Sequence, residues 1–98
     1  YDLEERTAQF GRKIILFCRS LAETTISKPL IYQLVRSGTS IGANYMEANA
    51  ASSKRDFANK IFFCKKESQE TKHWLRMIKA CFPSKERELK GCGLSLKS

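Results

Sequence analysis

The feature that most constrains this sequence is an apolar stripe that continues without interruption for about seven helical turns. Its members recur in alternating steps of four and three residues, as one face of an α-helix requires. They are Phe57, Ile61, Cys64, Ser68, Thr71, Leu75, Ile78 and Phe82. Ser53 followed by Asp56 resembles a capping box with Asp in place of Glu, and Pro83 ends the pattern. We predict a single helix of about 43 Å over residues 53–82.

Two further helices are predicted upstream. Residues 2–23 carry an apolar stripe with the same spacing. A proline suited to a first helical turn, Pro29, follows a short polar loop, and we predict the second helix over residues 28–49. Its inner face includes Gly38 and Gly42, which lower the helix propensity. We therefore expect these small residues to let a neighbouring helix approach closely.

The pattern weakens after Pro83. Gly91 and Gly93 disfavour a long helix there, so we predict only a weak one over residues 84–90. The predicted fold class is all-α: an up-and-down antiparallel helical bundle with three long helices and a short or truncated fourth. At 98 residues we expect one domain, covering residues 1–98.

Charge and composition limit the class of function. The net charge of +8 favours polyanions such as nucleic acid, or an acidic partner surface. Neither a signal peptide nor a membrane-spanning run is visible, so we expect a cytoplasmic protein without membrane contact. The four cysteines form no C-x-x-C pair, and we interpret them as reduced thiols, mostly buried, rather than zinc ligands or disulfides. They are Cys18, Cys64, Cys81 and Cys92.

A helical wheel of the third helix separates a line of cations from the apolar stripe. Five basic residues fall within a sector of about 60° that contains no acidic residue of the helix. They form what we call the cationic ridge: Lys54, Lys65, Lys72, Arg76 and Lys79. The ridge is about 38 Å long and could track several phosphates, although a solvated helix face is the alternative. No aromatic residue is clearly interleaved with it, so sequence-specific readout is not indicated.

A second line lies about 100° from the apolar stripe and mixes apolar with acidic residues. It includes Phe63, Glu67, Glu70 and Trp74. We predict a packing surface toward a neighbouring helix or another subunit, in which Trp74 is an anchor; the alternative is that Trp74 completes the core of the monomer. Arg36, Ser40 and Glu47 line one side of the second helix and could contact the two glutamates.

Nothing in the sequence predicts catalysis. The single histidine, His73, lies among lysines and lacks a recognisable nucleophile and orienting acid. Glu67 and Glu70 lack the E-x-x-H partners of bundle metal sites, so a structural ion pair is the preferred interpretation. We expect no enzyme activity, no metal and no cofactor.

Several segments taken together resemble a known family. They are YDLEERT at 1–7, LVRS at 34–37 followed by SIGANY at 40–45 and EA at 47–48, and ETKHWL at 70–75. Over residues 1–82 the chain resembles the four helix bundle protein family, whose members include proteins encoded by intervening sequences in bacterial large-subunit ribosomal RNA genes. The chain departs from that family after residue 83, where its members continue into a full amphipathic fourth helix.

The resemblance implies an up-and-down four-helix bundle that assembles as a homopentamer and has no enzymatic activity. A related branch, the accessory variability determinant of diversity-generating retroelements, is a basic pentameric barrel that binds reverse transcriptase and is associated with nucleic acid. The residues that match the family pattern would hold helices or subunits together. They are Arg36, Asn44, Glu47, Glu70 and Trp74.

Two functional hypotheses follow. The first is a non-catalytic, oligomeric scaffold that binds RNA or DNA without sequence specificity through the cationic ridge. The alternative is an adaptor that docks a protein partner, such as a reverse transcriptase or another polymerase, without direct affinity for nucleic acid.

Overall fold

The computed structural model describes residues 2–91, and within that range the chain forms helices without strands. Helix α1 spans Leu3–Arg19, α2 spans Ser27–Asn49 and α3 spans Lys54–Cys81. A 3₁₀ turn, Pro83–Lys85, leads into the short helix α4, Glu86–Gly91. This confirms the predicted all-α bundle of three long helices and a short fourth. Cys92, Gly93 and the residues after them lie outside the described part of the chain.

The three long helices are antiparallel, as the residue pairs between them demonstrate. Between α2 and α3, Glu47 pairs with Lys60 and Arg36 pairs with Glu70, so residue numbers rise on one helix as they fall on the other. Between α1 and α2, Gly42 lies against Thr7 and Gly38 against Ile14. Helix α2 is thus central, with α1 and α3 on its flanks.

Short polar side chains set the helix ends. Asp2 accepts a hydrogen bond from the Glu5 amide at the start of α1, and Ser53 accepts one from the Asp56 amide at the start of α3. Helix α1 ends at Arg19, four residues before the predicted position 23. The hydroxyl and amide of Ser20 both donate to the Phe17 carbonyl, which closes a turn where the helix would have continued.

The glycines of α2 permit the close helix approach that their position predicted. A Cβ atom at Gly38 would lie 2.9 Å from Cγ1 of the fully buried Ile14, closer than side chains normally pack. Ser37, the residue before Gly38, links α2 to α3. Ser37 and Thr71 are both buried, and their hydroxyl oxygens lie 3.0 Å apart. The central helix therefore meets both neighbours through small residues.

The hydrophobic core occupies one end of the bundle. It is formed by α1, α2 and α3 together with one residue of α4, Leu89. Its buried members are Ile14, Phe17, Cys18, Leu21, Leu34, Leu75, Ile78 and Leu89. With six residues, α4 is only about 9 Å long and covers only this end. At the opposite end, the apolar stripes of α1 and α3 stay half-exposed, with Leu3 at 39% and Phe57 at 44%.

Candidate nucleic-acid interface

The cationic ridge lies along the outside of α3, which runs as one uninterrupted helix from Lys54 to Cys81. Lys54, Lys65, Lys72 and Arg76 are exposed, and Lys79, in the last turn, is half-buried. Since α3 carries eight basic and three acidic residues, this helix supplies most of the net charge of the chain. The ridge therefore concentrates positive charge on one side of an elongated molecule whose longest extent is 45 Å.

Five acidic residues of the bundle form ion pairs with cations outside the ridge. The ion pairs among the described side chains join Arg12 to Glu5, Arg36 to Glu67 and Glu70, Lys60 to Glu47, and Lys85 to Glu88. None of them involves the first four residues of the ridge. In the part of the chain that the structure describes, those four cations have no carboxylate partner, and their charge is available to an external polyanion.

Arg36 neutralises two of the three carboxylates of α3. Its guanidinium lies 2.6 Å from Oε1 of Glu70 and 3.3 Å from both carboxylate oxygens of Glu67. Partial burial lowers the pKa of Arg36, but the hydrogen bond with Glu70 and the charge of Glu67 outweigh that effect, and the net pKa is raised. The cluster fixes α3 against α2 and turns its acidic side inward, away from the ridge.

The other predicted interface residues take different roles. Glu47 accepts a hydrogen bond from Lys60 at 2.7 Å rather than contacting the α3 glutamates, and this bond raises the pKa of Lys60. Asn44 donates to the Ser40 carbonyl within its own helix at 2.9 Å. Phe63 is 43% exposed, and its ring meets that of Phe62 with centroids 6.0 Å apart. Of the predicted set, the structure thus brings together Arg36, Glu67 and Glu70.

Trp74 packs against the core of its own chain. Its side chain is half-buried beside the core cluster, and the ring of His73 meets its ring edge-on, with centroids 4.7 Å apart. The indole Nε1 is buried and has no acceptor among the described residues. This position agrees with the alternative in which Trp74 completes the core of the monomer. The indole N–H is a hydrogen-bond donor that remains unsatisfied among the described residues.

Phe62 lies beside the cationic ridge and was missed by the sequence analysis. It is 63% exposed, and Lys65 and Lys66, three and four residues later, are exposed neighbours on the same side of α3. The wheel places it about 80° from Lys54, between the ridge and two further basic residues, Arg55 and Lys66. The available signal was an aromatic residue outside the apolar stripe with lysines at helical spacing.

A groove separates the outer faces of α1 and α2 near the N-terminal end of α1. Its volume is about 530 Å³, and its floor is small or apolar, including Ala8, Ile15 and Met46. The first turns of α1 supply a mostly acidic rim with Asp2, Glu4 and Glu5, and Arg12, which pairs with Glu5, lies there as well. On a chain with net charge +8, this is a surface of opposite character to the ridge.

The described side chains show no arrangement for metal or thiol chemistry. Residues 2–91 contain no group of three histidine, cysteine, aspartate or glutamate residues placed to hold a metal ion. Cys18, Cys64 and Cys81 are free thiols; burial raises the pKa of Cys18 to about 11 and also raises the pKa of Cys64. Cys92 lies outside the described residues. None of the described helices is both long and apolar enough to cross a membrane.

Comparison with known proteins agrees with this architecture. Neither the curated proteins nor the solved structures gave a significant match. A family model described as the 23S rRNA-intervening sequence protein matches residues 2–93, which is nearly the whole chain. The matched range includes all three long helices and α4. The match confirms the family resemblance found in the sequence and extends it past residue 82, where that resemblance ended, to residue 93. The chain therefore belongs to the 23S rRNA-intervening sequence protein family.

Proposed function

We propose that the protein is a non-catalytic helical-bundle scaffold that self-associates and binds RNA or DNA without sequence preference through the cationic ridge. The observation that carries the proposal is the row of exposed cations on α3 without described carboxylate partners. From Lys54 to Arg76 the row covers about 33 Å at the helical rise. A nucleic-acid strand presents a linear row of phosphate charges, which could contact the cations along this length.

The chemistry of the ridge favours binding without sequence preference. Lysine ammonium groups act as point charges and contact phosphates, whereas bidentate reading of bases needs the planar fork of arginine or an amide. In the ridge only Arg76 carries such a fork. Affinity would therefore come mainly from the release of counterions from the backbone.

No reaction is part of the proposal. His73 is exposed, and its ring meets that of Trp74 edge-on. The Cys18 thiol, with its pKa raised to about 11 by burial, is protonated near neutral pH. These side chains support a structural role.

Self-association is supported by apolar surface at the end of the bundle that α4 leaves open. Leu3, Met46, Phe57 and Phe63 are between 39% and 55% exposed there. Contact with further copies of the chain would cover such residues, and a homopentamer is the assembly implied by the family resemblance. Light scattering at two salt concentrations tests this part of the proposal, and a monomer at both would contradict it.

Paired charge reversals test the nucleic-acid part. The variant K65E/K72E should bind a labelled RNA much more weakly than the native chain in an electrophoretic shift assay at fixed salt. The matched control is K13E/K28E, which changes the net charge equally but alters exposed lysines on α1 and α2. Equal weakening by both variants would mean that total charge, and not the ridge, attracts RNA.

The adaptor alternative is favoured by one observation, the groove between α1 and α2 with its apolar floor and acidic rim. Such a surface fits a basic, amphipathic protein segment, as a reverse transcriptase or another polymerase could present. Affinity capture with and without nuclease treatment separates the two functions. A polymerase retained after nuclease treatment, with no RNA bound by the purified protein, would establish the alternative.

A further inference from the structure

We propose that Phe62 stacks on unpaired bases, so that the preferred ligand of the cationic ridge is single-stranded rather than duplex nucleic acid; this inference rests on the proposed function. A phenylalanine that is 63% exposed has no packing role inside its own bundle. On the wheel of α3 it lies directly opposite Thr71, which is buried against α2.

The surroundings of Phe62 are those of a stacking platform. Lys65 and Lys66 follow one turn later and Arg55 precedes it, all three exposed and on the same side of α3. A helical side chain leans toward the residues three and four positions earlier, which are Asn59 and Ala58, and both are exposed. Phe63 meets the ring in a tilted contact, with centroids 6.0 Å apart and an interplanar angle of 66°. That contact occupies at most one face of the Phe62 ring.

An aromatic ring among cations distinguishes single-stranded from duplex nucleic acid, because only the single strand has accessible base faces. In a duplex the bases are stacked on each other, and only phosphates and groove edges meet a protein surface. A single strand presents free π-faces, and stacking on an aromatic ring tolerates any base because every base has such a face. Cations on both sides of Phe62 would hold the backbone while the ring takes the base. The ridge can thus prefer single-stranded nucleic acid without preferring any base sequence.

The test compares one RNA, single-stranded and annealed to its complement, with native protein and Phe62 variants. The RNA contains 2-aminopurine, whose fluorescence is quenched when the base stacks. In F62L, which keeps an apolar side chain but has no π-face, single-strand affinity should fall about fivefold or more, while duplex affinity stays unchanged. Quenching should be lost in F62L and retained in F62W. The control is Y32A, which removes an equally exposed aromatic from α2.

Each outcome separates this inference from the function on which it rests. If the native protein binds neither RNA, the proposed function fails. If it binds both RNAs with affinity lost in K65E/K72E, but F62L behaves like the native chain, the ridge is upheld and the stacking role is overturned. If F62L weakens both RNAs equally and lowers the mass in solution, Phe62 is a subunit contact, which also overturns the stacking role.

Discussion

Gly38 packs against the Ile14 side chain where α2 meets α1, and the substitution Gly38→Ala tests that packing. The new Cβ atom would lie 2.9 Å from Cγ1, 3.1 Å from Cγ2 and 3.3 Å from Cβ of Ile14. Ile14 is fully buried and β-branched, so it has little rotamer freedom with which to move aside. Overpacking of this kind costs about 1–3 kcal/mol. Replacing glycine by alanine inside a helix returns about 0.8–1 kcal/mol.

The net expectation for Gly38→Ala is a loss of up to about 2 kcal/mol in the free energy of unfolding. Gly11→Ala is the matched control, because its nearest contact, the Cα of Thr39, would be at 3.6 Å, an ordinary van der Waals distance. There the helix propensity dominates, and we expect a gain of about 1 kcal/mol. Urea denaturation followed by circular dichroism measures both variants. The packing argument is refuted if Gly38→Ala is as stable as Gly11→Ala.

Three further predictions concern charge, thiols and capping. Arg36→Ala should lower the free energy of unfolding by about 1 kcal/mol, because it leaves two carboxylates unpaired at a half-exposed site. The control Arg12→Ala removes an exposed ion pair and should change that free energy by less than about 0.5 kcal/mol. Urea titrations measure both. Iodoacetamide should alkylate Cys18 last of the described cysteines, since burial holds its pKa at about 11, and peptide mass spectrometry that finds it labelled first would contradict this. Ser53→Ala removes the N-cap of α3 and should lower the free energy of unfolding by about 1 kcal/mol, which is observed as a lower melting temperature. Ser52→Ala should leave the melting temperature unchanged.

The helices were predictable because local signals agreed with tertiary packing. The apolar stripe of α3, with its serine cap and terminal proline, predicted residues 53–82, and the observed helix is Lys54–Cys81. The end of α1 was not predictable in the same way. Leu21 keeps the helical spacing and is buried in the core, but it follows a turn closed by Ser20, and periodicity alone does not distinguish the two cases.

The candidate site was predictable mainly where residues share a helix, and the contact of Arg36 with Glu67 and Glu70 is the predicted contact between helices that the structure contains. The spacing of Lys54, Lys65, Lys72 and Arg76 places them on one side of α3, and the structure exposes all four. Contacts between helices depend on the register between α2 and α3, which a sequence pattern does not fix. Glu47 accordingly pairs with Lys60 rather than with the predicted surface. Phe62 was missed because aromatic residues are normally assigned to packing, although its place outside the apolar stripe agrees with its exposure of 63%.

The central claim is that charge on one side of α3 binds nucleic acid, and the salt dependence of RNA binding tests it most directly. The logarithm of the association constant should fall linearly with the logarithm of salt concentration, by about 0.7 for each single-strand phosphate neutralised and about 0.9 for each duplex phosphate. In K65E/K72E the slope should decrease in magnitude by about 1.4 or more, while K13E/K28E keeps the native slope. A slope near zero for the native protein, or the same slope in both variants, would contradict the account.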